Sequence, residues 1–416
     1  MGLRLVSWVV LAAIARAGSA DLESFEKVWS TVRDKHWQIR PGGLDWNAVH
    51  DEFRPRAEKA AALETNATDE MRIVMREMLA RLGQTHFGIV PASVYALLAE
   101  GAAGEGVTGI DLRVLDGGAI VARLDPDSSA MKAGVEPGWQ VIGANGQQFA
   151  PLIEKADLSL HELSFTRTLA SRLTGEPGGS VKTVFLDGAG KTVTIDLPLE
   201  AERGVKSTFG NLPPYRVWFE SKRLNTVTYV RFNIFLDLPR TMANFEQAIK
   251  SCQPCGGVII DLRGNPGGIG GMALGMAGFL TEKPNLKLGT MLMRDVSLNF
   301  IVNPRLEAFT GRLAMLVDGL SASTSEIFAE GLKDLGRARI FGTKTAAAAL
   351  PSQFERLPNG DGFQYAVANY VSEGGQPLEG LGVTPDVEVK LTRQALLAGR
   401  DPVVEAALEW IQQKSK

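Results

Sequence analysis

Strand-like and helix-like segments alternate through the second half of this chain, and this alternation limits the fold more than any other feature. From about Val217 onward, the apolar runs TVTYVRF, GVIIDL and LAMLVD are separated by segments with helical spacing, expected at Ala243–Ile249, from Met272 and from Glu326. Strands that alternate with helices form βαβ units around a largely parallel sheet. Residues 201–416 are therefore predicted to form an α/β core.

The part of the chain before this core shows two other patterns. From Leu22 to about Leu98, apolar residues recur at three-and-four spacing and Gly83 provides a stop signal, so residues 21–100 are predicted to be a helical domain. Residues 101–200 instead contain short strand-like runs broken by Asp-Gly turn signals. The prediction is a multidomain α/β chain in which a helical domain and a small β domain precede the core.

Length and composition exclude some functional classes. The chain has 416 residues, of which 45% are hydrophobic and 22% charged, with a formal net charge of -3. These values are typical of an ordinary soluble protein with more than one domain. Because no basic excess and no dense Lys/Arg run is present, nucleic-acid binding is not predicted. No spacing typical of a metal-ligand cluster appears, so no cofactor or metal is predicted.

Residues 1–20 have the pattern of a secretory signal peptide. Arg4 supplies a positive charge, Leu5 to Ile14 form an apolar run, and ARAGSA offers small residues for cleavage. The prediction is therefore an exported protein, periplasmic or extracellular. An uncleaved anchor in contact with a membrane is the alternative, although the apolar run is shorter than the ~20 residues that a spanning helix needs.

The sequence contains two cysteines, Cys252 and Cys255, in SCQPCGG. In an oxidising compartment such a pair can close a tight disulfide, so a small structural bridge or two reduced thiols are the predicted states. A thioredoxin-like redox role would place the pair at the start of a helix after a strand, but this pair precedes the strand GVIIDL. The sequence therefore favours a structural role.

The β-rich segment resembles a PDZ domain, because GVTGIDL, SSAMKAGV and PGWQVIGANG follow one another in it. By this resemblance, the loop that receives a peptide's C-terminal carboxylate consists of Val107, Thr108, Gly109 and Ile110. Glycines in such a loop let backbone N–H groups point into one concavity, and the neighbouring strand edge can accept a peptide as an added strand. An ordinary β-rich domain with glycine turns is the alternative.

Two loops of the α/β part carry residues suited to chemistry. GVIIDLRGNPGGIGG places glycines after a buried strand, where backbone N–H groups can face developing negative charge. A dinucleotide site is less favoured, because the glycines begin several residues after the strand. DGLSASTSEIFAEGL places four hydroxyl side chains before a helix. Ser323 and Glu326 fit a capping box, in which a hydroxyl side chain caps the start of the helix. Such a cap needs only one hydroxyl, so four hydroxyl side chains at this edge of a parallel sheet favour a functional site.

Together, VIIDLRGNPGG, VDGLSASTSEIFAEGLKDLGRARIFGTKT and LEGLGVTPDVEV, in this order behind a PDZ-like domain, resemble the S41 serine peptidases of the C-terminal processing and tricorn-core types. The resemblance implies a ClpP/crotonase-like peptidase core at residues 201–416. It also implies Ser323 as the nucleophile. The oxyanion would be bound by the Thr324 backbone N–H and by one from the pair Gly267 and Gly268.

The resemblance also predicts the catalytic base, because this chain differs from the processing peptidases at the position of their catalytic lysine. Processing peptidases use a Ser-Lys dyad, but the segment that reads TFGKG in them reads TAAAA here and places Ala348 at the lysine position. Lys344 is a less favoured substitute, because four residues span ~13 Å at full extension. Tricorn-type members use histidine, and this resemblance implies His86 in GQTHFG as the base and Glu379 in PLEGLGVTPD as the carboxylate that helps to orient it.

His36, His50 and His161 are interpreted as structural residues, with His36 as the rival of His86. The predicted function is an exported serine endopeptidase that cleaves unstructured or C-terminally recognised polypeptides through a Ser-His-Glu site. A catalytically inactive ligand- or peptide-binding protein on the same scaffold is the alternative. A serine hydrolase that acts on small esters is a third possibility, since the same triad serves acyl transfer generally.

Overall fold

The computed structural model of the chain describes residues 3–97, 105–156, 158–252 and 255–413. Helices and strands are mixed throughout these residues, which confirms the predicted α/β class. No helix in these ranges combines the length and the apolar character needed to cross a bilayer. The predicted signal segment, residues 1–20, coincides with the start of the first helix, apart from residues 1 and 2, which lie outside the described part.

The N-terminal region consists of helices that pack around a shared apolar core. Its elements are α1 (Leu3–Lys35), α2 (Trp46–Ala61), α3 (Ala67–Ala80), β1 (Gly88–Val90) and α4 (Ala92–Leu97), with a 3-10 turn at Pro41–Gly43. Asp45 caps α2, because its carboxylate accepts hydrogen bonds from the backbone N–H groups of Asn47 and Ala48. Phe25 of α1 and Met71 of α3 are fully buried between the helices.

Strand β1 attaches the N-terminal region to the C-terminal half of the chain. Gly88–Val90 pairs antiparallel with residues 362–364. The N-terminal apolar core also contains Phe363 and Tyr365, which are fully buried in it. The turn between α3 and β1 is therefore held against the α/β part, although the two are far apart in sequence.

The middle region is rich in antiparallel strands. Its strands are β2 (Gly106–Val107), β3 (Ile110–Leu115), β4 (Gly118–Leu124), β5 (Gln140–Ala144), β6 (Gln147–Gln148), β7 (Thr174–Gly175), β8 (Ser180–Leu186), β9 (Thr192–Pro198) and β10 (Glu200–Ala201). Its helices are α5 (Ser129–Lys132), α6 (Ala150–Ile153) and α7 (Leu158–Ala170), and a 3-10 turn spans Ser171–Leu173.

One sheet organises this middle region. Its strands run in the order β3-β4-β5-β8-β9, all pairs are antiparallel, and β6 pairs with β5. Helix α7 packs against β3. Leu112, Phe149 and Phe185 are buried in the core between them. The strands agree with the predicted β-rich segment, and its assignment as a PDZ-like domain remains a prediction.

The C-terminal part contains the predicted parallel sheet. Its strands are β11 (Val205–Ser207), β12 (Tyr215–Val217), β13 (Phe219–Leu224), β14 (Val227–Phe232), β15 (Gly257–Asp261), β16 (Leu286–Leu292), β17 (Ser297–Val302), β18 (Leu313–Val317), β19 (Arg339–Gly342), β20 (Ser352–Arg356), β21 (Gly362–Ala366), β22 (Asn369–Ser372) and β23 (Val387–Glu388). Its helices are α8 (Leu238–Lys250), α9 (Gly270–Gly278), α10 (Thr324–Asp334), α11 (Arg393–Leu397) and α12 (Pro402–Gln412).

The central sheet has the order β13-β14-β15-β18-β19-β23, parallel throughout except for the edge pair β13-β14. Alternate residues of a strand point to opposite faces. Val230 and Ile260 accordingly pack with α8, α9 and α10, whereas Tyr229 and Ile259 pack with α12. All residues of β14, β15 and β18 are buried. Burial on both faces explains why these strands read as continuous apolar runs.

A buried ionic cluster joins the middle region to the central sheet. Asp261, fully buried at the end of β15, lies 2.7 Å from the guanidinium groups of Arg123 and Arg263 and accepts a hydrogen bond from Tyr229 at 2.6 Å. Burial would raise the pKa of Asp261, but the charges of Arg263 and Arg123 hold that pKa well below its usual value. Asp261 is therefore ionised and ties β4 of the middle region to the α/β core.

Cys252 and Cys255 form a disulfide in the connection between α8 and β15. Of the two predicted states, the structure therefore has the structural bridge. Cys252 is buried and packs with the apolar core under α8 and α9. Residues 253 and 254 lie outside the described part of the chain.

Candidate active site

Ser323 lies in a strand-to-helix turn at the carboxyl edge of the parallel sheet. Strand β18 ends at Val317 and helix α10 begins at Thr324. The Ser323 backbone has φ 57° and ψ -118°, a conformation that is strained for any residue except glycine. Its N–H donates to the Ala348 carbonyl at 2.7 Å and to Glu326 Oε2 at 2.9 Å. These hydrogen bonds hold the strained turn in place.

The other three hydroxyls of the turn have structural roles. They donate to backbone carbonyls of the loop after β15: Ser321 to Leu262 at 2.8 Å, Thr324 to Gly268 at 2.8 Å and Ser325 to Asn265 at 3.0 Å. The turn is thereby fastened to the glycine-rich loop. Of the four hydroxyl residues, only Ser323 lines the large cleft above the sheet edge.

Glu326 connects the Ser323 turn to the segment that follows β19. Its buried carboxylate accepts four hydrogen bonds, from Ser323 N–H, Thr345 Oγ1, Ala347 N–H and Ala348 N–H. Burial raises the pKa of Glu326 to about 7, although these hydrogen bonds act in the opposite direction. The glutamate half of the predicted capping box is formed, because Glu326 accepts the Ser323 N–H. The serine half is not, since the Glu326 N–H donates at 2.8 Å to the Ser323 backbone carbonyl and the Ser323 hydroxyl makes no capping hydrogen bond.

The cleft has a volume of about 900 Å³, and all three regions of the chain contribute to its wall. The N-terminal region contributes Thr85 and His86, helix α7 contributes Glu162 and Arg167, and the α/β part contributes Ser323 and the glycine-rich loop. Ligand sites of parallel α/β sheets lie at the carboxyl ends of the strands. The structure therefore brings the predicted nucleophile and the predicted base to one cleft in the place expected for a site.

His86 lies in the turn between α3 and β1, with φ 61°. Its Nδ1 lies 2.8 Å from Thr85 Oγ1, and the Thr85 hydroxyl donates to Glu379 Oε2 at 2.8 Å. Because the hydroxyl gives its proton to the carboxylate, it accepts a hydrogen bond from Nδ1–H. The imidazole is thereby fixed in the tautomer whose Nε2 is unprotonated, the form required of a general base.

The environment of His86 keeps the ring neutral. Burial, and secondly the positive charge of Arg167, lower the pKa of His86 to about 4. The imidazole is therefore uncharged at neutral pH and can accept a proton.

Glu379 is connected to His86 through Thr85. Besides the Thr85 hydroxyl, its carboxylate accepts hydrogen bonds from Thr85 N–H at 2.8 Å and Ala349 N–H at 3.1 Å. Burial raises the pKa of Glu379, and the hydrogen bonds from Thr85 and Ala349 oppose that change. By the resemblance, Thr85 stands where the family often has serine, but no role in the site is predicted for it from the sequence. The hydroxyl directly before the candidate histidine is the signal that could have revealed this role.

The glycine-rich loop approaches the start of α10 so closely that a side chain would collide. A Cβ on Gly267, which has φ 95°, would lie 2.7 Å from the Thr324 nitrogen. The Gly267 N–H donates to Asn265 Oδ1 at 2.9 Å. In the described part of the chain, the N–H groups of Gly268 and Thr324 have no hydrogen-bond partner. Of the predicted oxyanion donors, Thr324 and Gly268 are therefore available, and Gly267 is not.

Ala348, at the position where processing peptidases have lysine, lies directly beside Ser323. Its carbonyl accepts the Ser323 N–H, and its side chain is buried. A methyl group cannot take up the hydroxyl proton. Lys344 also lines the cleft and is exposed there.

The predicted carboxylate loop lies at a second, smaller cavity of about 240 Å³. This cavity is lined by the loop Val107–Ile110 and by charged residues of both signs. Its arginines Arg123, Arg231 and Arg263 are already paired with aspartates. Gly109 has φ 76°, and a Cβ on it would lie 2.2 Å from the Ser128 side chain, so the loop requires glycine here. The loop does not line the cleft that contains Ser323.

The other histidines whose side chains are described have structural contacts. His36 is fully buried, its Nε2 lies 2.9 Å from Gln84 Oε1, and its Nδ1 accepts the Gln38 N–H at 3.0 Å. His50 Nε2 lies 3.1 Å from a glutamate of α1. The side chain of His161 lies outside the described part. Within the described ranges, no group of three or more His, Cys, Asp and Glu residues could hold a metal ion.

Sequence models of two protein families match this chain. The model of peptidase family S41 matches residues 226–389, and that of the tricorn protease C1 domain matches residues 22–80. The first range contains Ser323, Glu379 and the glycine-rich loop. The second ends shortly before His86.

Curated relatives are similar over most of the chain. The putative tricorn protease homolog 2 of Streptomyces coelicolor is 25% identical over 411 residues, which cover 93% of this chain and 32% of that protein. This chain thus spans about a third of the length of that relative. The chloroplastic C-terminal processing peptidase of Tetradesmus obliquus is 28% identical over 386 residues, which cover 90% of this chain and 78% of that peptidase.

Solved structures share the fold over almost their whole length. The photosystem II D1 C-terminal processing protease gives a TM-score of 0.60 at 22% identity, covering 95% of this chain and 98% of that chain. Mature CPAF gives a TM-score of 0.64 at 14% identity, covering 95% of this chain and 97% of that chain. At these identities the similarity is one of fold.

Proposed function

Since the model of peptidase family S41 matches residues 226–389, we propose that this chain is a serine-type peptidase that cleaves polypeptides with Ser323 as the nucleophile and His86 as the general base. The observation that carries the proposal is the hydrogen-bond chain from His86 through Thr85 to Glu379, in the cleft that Ser323 also lines. Acylation of a serine requires a histidine that is held in one tautomer, and here Thr85, which is bound to the Glu379 carboxylate, holds His86 in that way.

In the proposed first half of the reaction, Ser323 Oγ attacks the carbonyl carbon of the scissile bond while His86 Nε2 takes the hydroxyl proton. The Thr85 hydroxyl, backed by Glu379, stabilises the resulting imidazolium at Nδ1–H. The N–H groups of Gly268 and Thr324 bind the negative charge that develops on the former carbonyl oxygen. The tetrahedral intermediate then collapses, the C–N bond breaks, and the imidazolium protonates the leaving amine.

In the second half, water hydrolyses the acyl-enzyme by the same route. His86 Nε2 takes a proton from the water as its oxygen attacks the ester carbonyl, and the same two N–H groups bind the oxyanion. Collapse breaks the bond to Ser323 Oγ, and the imidazolium returns the proton to that oxygen. The products are a polypeptide with a new C-terminal carboxylate and the regenerated hydroxyl.

The proposed substrates are unstructured polypeptides, some of them recognised by their C-terminal tail. The loop Val107–Ile110, which requires glycine at Gly109 and opens on the second cavity, supports tail recruitment by a PDZ-like domain at residues 101–200. In this proposal the PDZ-like domain lies, along the chain, between a helical domain at residues 21–100 and a ClpP/crotonase-like core at residues 201–416. The signal pattern of residues 1–20 and the disulfide support export to the periplasm or outside the cell.

Fluorophosphonate labelling of the purified protein, combined with digestion of an unfolded protein, tests this proposal. Wild type is expected to label and to cleave, and Ser323→Ala is expected to lose both activities while it keeps its circular dichroism spectrum. His86→Ala is expected to reduce both by at least about 100-fold. The matched control is His50→Ala, which removes a histidine that does not line the cleft and is expected to leave both activities near wild type.

Two results would contradict the proposal. Unchanged labelling in Ser323→Ala would remove that residue from the site. A folded wild type that neither labels nor cleaves, even with a peptide offered to the PDZ-like domain, would instead favour the inactive binding protein on the same scaffold.

A further inference from the structure

The cleft carries more positive than negative charge close to the proposed reaction centre. Apart from His86, the charged residues that line it in the described part of the chain are Arg167, Lys344 and Glu162. Burial raises the pKa of Glu162, and the nearby charge of Asp318 acts in the same direction. The Glu162 carboxylate lies against Gly319, since a Cβ on that glycine would lie 2.0 Å from it. The lining thus contains two basic side chains and one acidic side chain.

Arg167 is the more informative of the two basic residues. It lies on helix α7, on the wall that the middle region places over the cleft, and it is exposed there. The surrounding protein partly desolvates the guanidinium and lowers the pKa of Arg167, while Tyr215 acts in the opposite direction. In the described ranges no acidic side chain acts on its charge, and the one group that does is Tyr215. Arg113, on the neighbouring strand β3, is by contrast paired with Asp318 at 2.7 Å.

Arg167 and His86 line the same cleft. The charge of Arg167 is the second cause, after burial, of the lowered pKa of His86. The guanidinium is exposed in the cleft, and no carboxylate of the described ranges acts on its charge. A substrate carboxylate can bind there, because the planar guanidinium binds a carboxylate through two parallel hydrogen bonds.

We propose that Arg167 is a specificity-determining residue that binds a carboxylate of the polypeptide substrate near the scissile bond. The inference rests on the peptidase function proposed above and adds a substrate class to it. The carboxylate is either the side chain of an aspartate or glutamate, or the substrate's own C-terminal group. Lys344, on the α/β side of the same cleft, adds positive charge that favours acidic segments.

Binding of such a carboxylate also acts on the base. A negative charge paired with Arg167 reduces the positive field at His86, so the affinity of Nε2 for a proton rises when the acidic substrate is in place. An acidic substrate therefore gains both in binding and in the strength of the base. This second effect separates Arg167 from a surface arginine that only attracts anions.

Four quenched fluorescent peptides of one sequence test the proposal. They carry glutamate or glutamine near the cleavage point, each with a free or an amidated C terminus. For wild type, we expect kcat/KM to be at least about tenfold higher for the peptide whose carboxylate Arg167 binds than for the matching neutral peptide. The glutamate-glutamine comparison identifies a side-chain carboxylate, and the acid-amide comparison identifies a C-terminal one. Scanning the glutamate along the peptide locates the position.

The variants are Arg167→Gln, Arg167→Lys and the matched control Arg172→Gln, which changes an exposed arginine just beyond α7. Arg167→Gln is expected to abolish the preference for the acidic peptide while it still cleaves the neutral peptide and labels with fluorophosphonate. Arg167→Lys should keep part of the preference, and Arg172→Gln all of it. A wild type without any preference, or a preference that survives in Arg167→Gln, would overturn the proposal.

A binding measurement separates this inference from the peptidase function. Fluorescence anisotropy with Ser323→Ala measures the affinity for the acidic and neutral peptides without catalysis. If wild type does not cleave, but Ser323→Ala binds the acidic peptide at least about tenfold more tightly than the neutral one and Ser323→Ala/Arg167→Gln does not, the peptidase proposal fails and the carboxylate site stands. Equal affinities would reject the carboxylate site whatever the activity.

Discussion

The Thr85 hydroxyl donates to Glu379 Oε2 at 2.8 Å, and this contact links the N-terminal helical region to the C-terminal loop of the proposed catalytic apparatus. The same hydroxyl lies 2.8 Å from His86 Nδ1. Thr85 also donates its backbone N–H to Glu379 at 2.8 Å. The carboxylate is therefore held by Thr85 at two points and affects the imidazole through it.

Replacement of Thr85 tests this connection. Thr85→Val keeps the size of the side chain but removes the hydroxyl, so His86 loses the acceptor that fixes its tautomer. We expect kcat/KM for an unfolded substrate to fall by about 100-fold, while Thr85→Ser stays within about tenfold of wild type. If Thr85 had only a structural role, both variants would have a lower unfolding temperature, and their kcat/KM values would not differ in this way. Equal activity of wild type and Thr85→Val would contradict the proposed relay.

The pH dependence of activity reports the state of His86. Protonation below the pKa removes the base, and this pKa is lowered to about 4, so kcat/KM should be level at neutral pH and fall only as the pH approaches about 4. Arg167→Gln removes one of the two causes of the lowered pKa of His86, so the acid limb of the pH-activity profile should move to higher pH. Arg172→Gln should leave it in place, and circular dichroism at each pH excludes unfolding. An acid limb that moves to lower pH in Arg167→Gln would contradict the assignment.

Glu326 should make stability depend on pH. Burial raises the pKa of Glu326 from 4.5 to about 7, so the folded state favours the protonated form. Its contribution is fully present below about pH 4.5 and is lost as the pH rises through about 7, a change of about 3 kcal/mol in the free energy of unfolding. Relative to Glu326→Gln, wild type should therefore lose stability between pH 5 and pH 8.

Urea unfolding of both proteins at the two pH values measures this difference. The control is Glu64→Gln, which changes an exposed glutamate and should follow wild type at both pH values. A difference between wild type and Glu326→Gln that does not change with pH would show that the carboxylate of Glu326 does not titrate in this range.

Gly267 and Gly271 form a matched pair for testing the glycine-rich loop. Gly267→Ala places a Cβ 2.7 Å from the Thr324 nitrogen in a backbone with φ 95°. Displacement of this N–H should reduce kcat/KM by at least about 100-fold. A Cβ on Gly271, which lies in α9, would have no atom within 4 Å, so Gly271→Ala should keep its activity and gain up to about 1 kcal/mol of stability. Similar activities of the two variants would contradict the oxyanion role.

Much of the architecture could be predicted because the signals are local. The buried runs that became β14, β15 and β18 are continuous and apolar, and their burial on both faces is the physical cause of that pattern. Helices α9 and α10 begin at Gly270 and Thr324, earlier than the predicted starts at Met272 and Glu326. Glycine and hydroxyl residues at these starts do not have the apolar spacing that marks a helix.

The prediction of the site was less complete because it depends on long-range contacts. Ser323, His86 and Glu379 were identified by resemblance, but the place of Thr85 between base and carboxylate depends on how the turn after α3 docks. Arg167 was missed because nothing in the sequence near α7 indicates that this helix covers the cleft. Only the packing of α7 against β3, and of the middle region against the sheet, creates that juxtaposition.

The pairing of β1 with residues 362–364 has a consequence for the order in which the molecule becomes active. The ribosome produces the segment with His86 early and the segments with Ser323 and Glu379 late. Until β21 is complete, β1 has no partner strand, and the imidazole has no carboxylate behind Thr85. On the proposed mechanism, a nascent chain therefore carries the base and the hydroxyl apart, and the site is complete only once β1 has paired with β21 and Glu379 has reached Thr85.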